Sequence, residues 1–437
     1  MKLCFRPFTL VEGVGFIDFA KKLVAIGAKY GADVNVEELL PSRTTVSRHL
    51  ADVVARKKDV LVSKLAQVSK FGITTDLWTH HITNVGYISV TAHYIDENWD
   101  TICLILAMRS VEERHTAKVI QQTVRCILQE FSADRSDNIY VTDNASSMKA
   151  AFQDVIWQGC SCHNLNLVLQ HGFETKSRVN DEDDEGLPNA VTELINTCKE
   201  LVRLAKKTRL NSSLDTTLKQ CVPTRWNSTL ITLKSVHNNL AQLRAFGTDP
   251  STNKNVLRLL ADISEPLLEE MIAVLQPFDT ATKELSTDTK PAMHLVVPTK
   301  FQLRKHLSTS VTDSMMTAQL KQHLLLQLEQ YFKVTVIHCS ATILDPRLKV
   351  NTSIMDSDQR AKAICSLKEM VSNATTLCQQ AAACECDALE NTEAPSTKRL
   401  RMESSQSTFF ADLFTSTSSS LVINEVTILS KISSRPT

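Results

Sequence analysis

The 437-residue sequence predicts an α/β core followed by a large all-α region, with a further helical segment ahead of the core. Three observations predict this. Between residues 71 and 142 the chain carries four β-branched or aromatic runs separated by polar turns. Residues 116–131 switch to a helical period between the third and fourth of these runs. From residue 187 to about 385 the pattern is long amphipathic helices with proline-bearing breaks.

Residues 1–66 read as helical. Thr9-Leu10-Val11-Glu12 has the form of a capping box, and Phe16, Phe19, Leu23 and Ile26 then fall on one helical face. Gly27 and Gly31 punctuate that helix. Pro41-Ser42-Arg43-Thr44-Thr45 opens a second helix, where Val46, Leu50 and Val53 are apolar and Arg43, Arg48, His49, Arg56, Lys57 and Lys58 surround them. A helix, a turn and a basic helix can lay cations on DNA phosphates, with Arg43, Arg48 and Lys57 as the candidates. On charge alone a solvated basic face is the commoner reading.

The core runs over residues 67–173. Residues 71–78 form the first strand, 85–95 the second and 99–108 the third, with Asp96-Glu97-Asn98 as the turn between the last two. The helix over 116–131 presents Val119, Ile120, Val124, Ile127, Leu128 and Phe131. Residues 139–142 are a fourth strand, 146–155 a helix and 155–161 a short fifth strand, giving the order β-β-β-α-β-α-β.

Asp76 and Asp143 each follow a strand. A single acid in that position is usually a turn or cap residue, and Asp143 before a helix start suits an N-cap. Two acids at the ends of two strands can also meet in space and hold a hard divalent cation between oxygen ligands. Cys160, Cys162 and His163 offer at most three zinc ligands with no second cluster nearby, whereas structural zinc takes four, so no zinc is expected.

Residues 174–186 include the acidic run 180–185, a solvated loop. Helices are expected over 190–204, 256–275 and 316–332, with Pro223, Pro266, Pro277, Pro291 and Pro298 in the breaks. Trp226, next to Arg225, stands in one break, where packing is the usual role of a tryptophan. Residues 386–420 are poor in apolar side chains and rich in Ser, Thr and charge, the composition of a disordered linker. Lys398-Arg399-Leu400-Arg401 is a short basic cluster of nuclear-localisation type.

Composition bounds the rest. Lys plus Arg and Asp plus Glu are equal at 48 each, so any nucleic-acid surface must be a local patch. No apolar run approaches the ~20 residues of a membrane span. Twelve cysteines without a secretory signal point to free thiols in a reducing compartment.

Seven motifs in order carry a family resemblance: Thr75-Asp76-Leu77-Trp78-Thr79, residues 90–96, His115-Thr116-Ala117, Val141-Thr142-Asp143-Asn144-Ala145, Cys160-x-x-His163-x-Leu165-Asn166-Leu167, Pro223-Thr224-Arg225-Trp226-Asn227 and Leu344-Asp345-Pro346-Arg347. Together they resemble the hAT superfamily of DNA transposases, with a Hermes-like N-terminal region. The resemblance implies a ribonuclease-H-like core over 67–173, an N-terminal DNA-binding and assembly domain over 1–66, a helical insertion over 174–385, and a linker and tail over 386–437. It implies Asp76 and Asp143 as catalytic acids holding Mg²⁺ or Mn²⁺, and Arg225 and Trp226 beside the DNA end. It places Cys160 and His163 as structural residues near the site. Its partners are duplex DNA and further copies of the chain, with no membrane, in the nucleus.

Two features of such proteins are absent from the sequence: a BED-type zinc finger ahead of the first helix, and the Ser-Glu-Arg segment bearing a third carboxylate, of which Glu425 in Asn424-Glu425-Val426 is only a lead-in. The expectation is a transposase-like DNA-binding protein, inactive in strand cleavage by itself. The alternative is a domesticated nuclear DNA-binding or transcription-regulatory protein, or an interaction scaffold.

Overall fold

The structure is a computed structural model that describes residues 8–31, 35, 38, 40–173, 189–222, 226–246, 253–287, 290–349 and 351–384. Arg225, residues 386–420 and Glu425 lie outside the described residues. The chain divides into two compact units, residues 1–69 with 126–134, and residues 70–125 with 135–437.

In the first unit the Thr9 pattern opens a 3-10 helix, Phe8–Glu12, rather than the expected α-helix. The Gly13 amide closes that turn on the Leu10 carbonyl at 3.2 Å, and helix α1, Val14–Tyr30, starts afresh behind Gly13 without a side-chain cap. Helix α1 passes through Gly27 and stops at Gly31, whose φ of 84° lies in the left-handed region that glycine occupies without strain. None of its residues is buried: Phe16 and Phe19 are exposed, and Leu23 and Ile26 are half-buried. Helix α2, Arg43–Ala66, starts where the sequence predicts, because the Ser42 hydroxyl accepts the Thr45 amide at 3.1 Å and satisfies a donor the helix cannot.

The second unit opens with β1 (Gly72–His80), β2 (Val85–Ile95) and β3 (Thr101–Val111). Helix α3 (Ala117–Glu130), β4 (Ile139–Thr142), α4 (Ser146–Ala151), β5 (Ile156–Gly159) and α5 (Ser161–Gly172) follow. The five strands form one sheet in the order β3-β2-β1-β4-β5. The β1–β2 and β2–β3 pairs are antiparallel, and the β1–β4 and β4–β5 pairs are parallel. Alternation buries Ile73 and Thr75 of β1 with Ile88, Val90 and Ala92 of β2. Trp99, expected to start β3, is instead a turn residue: its φ is 66°, its amide donates to the Asp96 carbonyl at 3.0 Å, and its ring is exposed. The polar turn runs over 96–100, two residues longer than Asp96-Glu97-Asn98, because left-handed backbone cannot continue a strand.

Helices α6 (Asn189–Lys207), α7 (Asn227–Phe246), α8 (Lys254–Ala261), α9 (Glu265–Leu285), α10 (Val296–Leu307), α11 (Met315–Tyr331), α12 (Val336–Leu344) and α13 (Ser357–Cys384) follow. The span 256–275 is two helices rather than one, since Pro266 cannot donate to the Asp262 carbonyl and clashes with it. Pro266 and Pro298 nevertheless sit in the first turns of α9 and α10, where no amide partner is needed. Pro277 lies inside α9 rather than in a break. Burial of Leu275 and Phe278 around it offsets the lost backbone bond, and His306 Nε2 donates to the nearby Val274 carbonyl at 3.1 Å.

Helix α5 joins the sheet to this helical part. It follows β5 directly, and its Leu165, Val168 and Leu169 are fully buried in the core formed with α6, α7, α9 and α11. Its far end meets α11 closely: a Cβ on Gly172 would stand 2.5 Å from Leu324 Cδ2, and His171 stacks on Tyr331 at 4.3 Å. The start of α5 is thereby held rigidly at the carboxyl edge of the sheet.

Candidate metal and nucleic-acid site

Parallel pairing sets the geometry. Gly72 stands opposite Ile139 and Thr74 opposite Val141, while Thr142 stands opposite Gly159. The β1–β4 pairing ends at Thr74 and Val141; two residues further along each strand stand Asp76, the fifth residue of β1, and Asp143, just past β4, and one residue beyond Thr142 and Gly159 stand Asp143 and Cys160. Parallel strands lie about 4.8 Å apart where they pair. The Cys160 amide extends the ladder by donating to the Thr142 carbonyl at 2.7 Å.

Asp76 is exposed, and its Oδ1 accepts the Leu77 amide at 2.9 Å. Asp143 is half-buried, and its Oδ1 accepts the Ala145 amide at 3.1 Å. Asp143 thus closes a turn two residues on, and the N-cap of α4 is Ala145 rather than Asp143. Among the described residues Oδ2 of each aspartate accepts no hydrogen bond. Two hard oxygen donors with a spare oxygen each suit Mg²⁺ or Mn²⁺, whose remaining positions water fills.

Neither aspartate belongs to a tight cluster of three ligands. Among the described residues the trio of His, Cys, Asp or Glu ligand atoms within 4.8 Å of one another is His237, Glu265 and Glu269. It joins α7 to α9, where Arg244 already pairs with Glu265 at 2.5 Å and His237 with Glu269 at 3.1 Å.

Cys160 is the N-cap of α5, so Cys162 and His163 lie in its first turn, all three half-buried. The thiol of Cys162 hydrogen-bonds to Cys160 and holds it below the usual thiol range. Burial opposes this, the His163 and Cys162 amides reinforce it, and the Asp143 charge opposes it weakly.

Several residues here had no role in the sequence reading. Asn144 Nδ2 donates to Asn164 Oδ1, which ties the loop after Asp143 to α5. Gly159 lets that tie pass, since a Cβ there would stand 2.5 Å from Asn144 Oδ1. Trp157 Nε1 donates to Thr142 Oγ1 at 2.9 Å, and Thr335 Oγ1 donates to Gln158 Oε1 at 2.8 Å. Asn144 and Asn164 stand within motifs noted above, but pairing partners 20 residues apart leave no local periodicity.

The other candidates are dispersed. Arg43, Arg48 and Lys57 are all exposed on α2. At about 100° per residue, Arg43 and Lys57 lie about 40° apart, whereas Arg48 is about 140° from Arg43. Trp226 is 5% exposed, meets Phe278 edge to face at 6.5 Å, and donates its amide to Asn166 Oδ1 at 3.3 Å. Its ring is a core side chain here, so the stacking role implied by the resemblance would require it to leave the core. Arg225 lies outside the described residues.

One acid within β1 and one just past β4, its parallel neighbour, define a mixed α/β protein with a candidate cation site on the sheet. Comparison with known proteins narrows the class. The family of the ZBED1 RNase-like domain matches residues 74–167, and that of the Hermes transposase DNA-binding domain matches residues 4–45. The transposable element Hobo transposase of Drosophila melanogaster is 26% identical over 78% of this chain and 51% of its own length. Zinc finger protein 618 of Mus musculus is 29% identical over 78% of this chain and 35% of its own length. The putative AC transposase of Zea mays is 28% identical over 56% of this chain and 31% of its own length. The chain is an hAT-transposase-like protein, and it spans about half or less of the length of these curated relatives.

Proposed function

We propose that the chain is a nuclear, DNA-binding, transposase-like protein whose sheet is a ribonuclease-H-like core that holds one divalent cation between Asp76 in β1 and Asp143 after β4. The observation that supports this reading is the parallel β1–β4 pairing from Gly72–Ile139 to Thr74–Val141; carried on by two residues, that register would set Asp76 opposite Asp143. The strand order β3-β2-β1-β4-β5, with the first three strands antiparallel, supports the ribonuclease-H-like assignment. The matches to the Hermes transposase DNA-binding domain and to the Hobo and AC transposases support duplex DNA as the partner. In this reading residues 1–66 bind phosphates, 67–173 form the core, 174–385 the helical insertion and 386–437 a tail.

When bound, Mg²⁺ or Mn²⁺ would supply Lewis-acid stabilisation of a phosphoryl oxygen. Asp76 and Asp143 would hold it, and the Leu77 and Ala145 amides already fix one oxygen of each carboxylate. Asn144 and Asn164 keep the loop after Asp143 from swinging away. Two carboxylates can hold one ion, whereas two-metal strand cleavage takes a further acid, so in this reading the chain binds metal and DNA and does not cleave by itself.

Titration of the full chain with Mn²⁺, read by electron paramagnetic resonance, tests the site. One bound ion is expected, with affinity at least about ten-fold weaker in Asp76→Asn and in Asp143→Asn. Unchanged binding in both variants would refute it. Labelled duplex DNA should bind in the absence of metal, and cleavage in Mn²⁺ that Asp76→Asn abolishes would show that a further acid completes the centre.

A further inference from the structure

A cavity of about 940 Å³ lies in the helical part, where α10, the end of α11 and the start of α13 meet. None of the residues named above for cation or DNA binding lines it. Its floor is apolar. Val297, Ile354 and Met355 belong to a small second core, and Phe301 and Val334 pack half-buried against that core. Its rim is basic, with Lys300, Arg304 and Lys305 from α10 and Lys333 from the chain after α11. Two acids share the lining, and both are engaged. Glu329 holds Lys300 on Oε2 at 3.0 Å and Arg304 on Oε1. Asp356 Oδ1 accepts the Gln359 amide at 2.7 Å at the start of α13. Lys333 Nζ donates to the Glu329 carbonyl at 2.9 Å, so three cations gather around one residue. Four lining cations against two acids make a local positive excess in a chain whose overall charges balance at 48 each.

We propose that this cavity is a nucleotide-binding site, in which a base lies on the apolar floor beside Phe301 and its phosphates take the rim of Lys300, Arg304 and Lys333. An apolar wall with a few placed polar groups, at this volume, is the usual form of a small-molecule site. Lys300 is preorganised, since its side chain is only 17% exposed and Glu329 fixes its head. Arg304 uses Nε for Glu329, and the two Nη groups of the same guanidinium are further donors suited to a phosphate. Lys333 adds a point charge on the same side. A bare phosphate would use the rim and leave the floor wet, whereas a nucleotide covers both. Because Glu329 and Asp356 already have partners, the site calls for no bridging divalent cation. A free nucleoside triphosphate and the phosphorylated end of a single strand present the same base-and-phosphate unit.

The test follows fluorescently labelled ATP by anisotropy on the full chain, in EDTA and low salt, so that the result is independent of any cation between Asp76 and Asp143. Labelled ATP should bind, and unlabelled ATP should displace it at a concentration at least about ten-fold lower than tripolyphosphate, which lacks the base. Arg304→Ala combined with Lys333→Ala, both at exposed positions, should weaken binding at least about ten-fold. Ser308→Glu, which sets a negative charge on the exposed rim and removes no cation, should weaken it in the same direction. Arg43→Ala combined with Lys57→Ala should leave it unchanged. A short 5′-phosphorylated oligoadenylate then separates the two sources: displacement at a lower concentration than ATP assigns the strand end, and at a higher one the free nucleotide. The proposal is overturned if labelled ATP does not bind, if both rim variants bind it as tightly as the unsubstituted chain, or if tripolyphosphate competes as well as ATP.

Discussion

His338 shows how one buried side chain couples stability to pH. Its Nδ1 accepts the Thr335 amide at 3.1 Å, completing the cap of α12, and burial pushes its pKa down from 6.5 to about 4. Between those values the unfolded chain binds a proton that the folded chain refuses, so stability rises with pH across the window and is lost as pH falls through it. The cost reaches about 2 kcal/mol by about pH 5. Burial lowers His93, His294 and His306 in the same direction, so the comparison needs a variant. Urea midpoints near neutrality and at about pH 5 should differ less in His338→Gln than in the unsubstituted chain. Gly159 is a second case at this scale. Gly159→Ala sets a methyl 2.5 Å from Asn144 Oδ1, and a thermal melt should show a loss of about 1–3 kcal/mol. Neither effect was legible beforehand: Gly159 is one of ten glycines and His338 one of twelve histidines, and only tertiary neighbours distinguish them.

At the scale of elements, local chemistry was the better guide. Ser42 starts α2 because its hydroxyl reaches an amide three residues on, an interaction contained in four consecutive residues. Strand β2 follows its β-branched run over Val85–Ile95. Helix α9 is the counterexample, since it carries Pro277 where local propensity calls for a break. The burial of Phe278 and Leu275 overrides that propensity. Helix α2 also refines the DNA expectation, because Arg43 and Lys57 share a side that Arg48 does not. Arg43→Ala combined with Lys57→Ala should lower the slope of log affinity against log salt by about 2, at roughly 0.9 per phosphate contact. Arg48→Ala should leave that slope unchanged. Fluorescence anisotropy of duplex binding across a salt series distinguishes them, and equal slopes in all three proteins would move the DNA surface off α2.

At the scale of the whole molecule, one face of the sheet is exposed over β3 among the described residues. Ile105 is 74% exposed and Met108 65%, both on β3 and both on the face that carries Asp76, Trp78 and Tyr87. Trp78 stacks on Tyr87 at 5.8 Å and extends this apolar surface toward Asp76. An open apolar face next to an edge strand promotes association. Sedimentation velocity on the purified chain should show mass increasing with concentration, and Ile105→Lys with Met108→Lys should reduce it. A monomer at every concentration would mean that the face is solvated stably as it stands.

The sequence by itself determined most strands and helices of the core, where α2 begins, and that Asp143 follows a strand, because periodicity, capping and turn chemistry act over a few residues; Asp76, expected after a strand, lies inside β1, whose pairing with β2 carries on to His80. Only the tertiary structure decided that β1 pairs with β4 and β4 with β5, over Gly72–Thr74 with Ile139–Val141 and Ile139–Thr142 with Ile156–Gly159. It also decided that Trp226 is a core residue, that Asn164 tethers Asn144, and that the open face of the sheet shows Ile105 and Met108. Each of these depends on contacts between residues far apart in the chain, and their energy comes from burial and pairing that no short window of sequence contains.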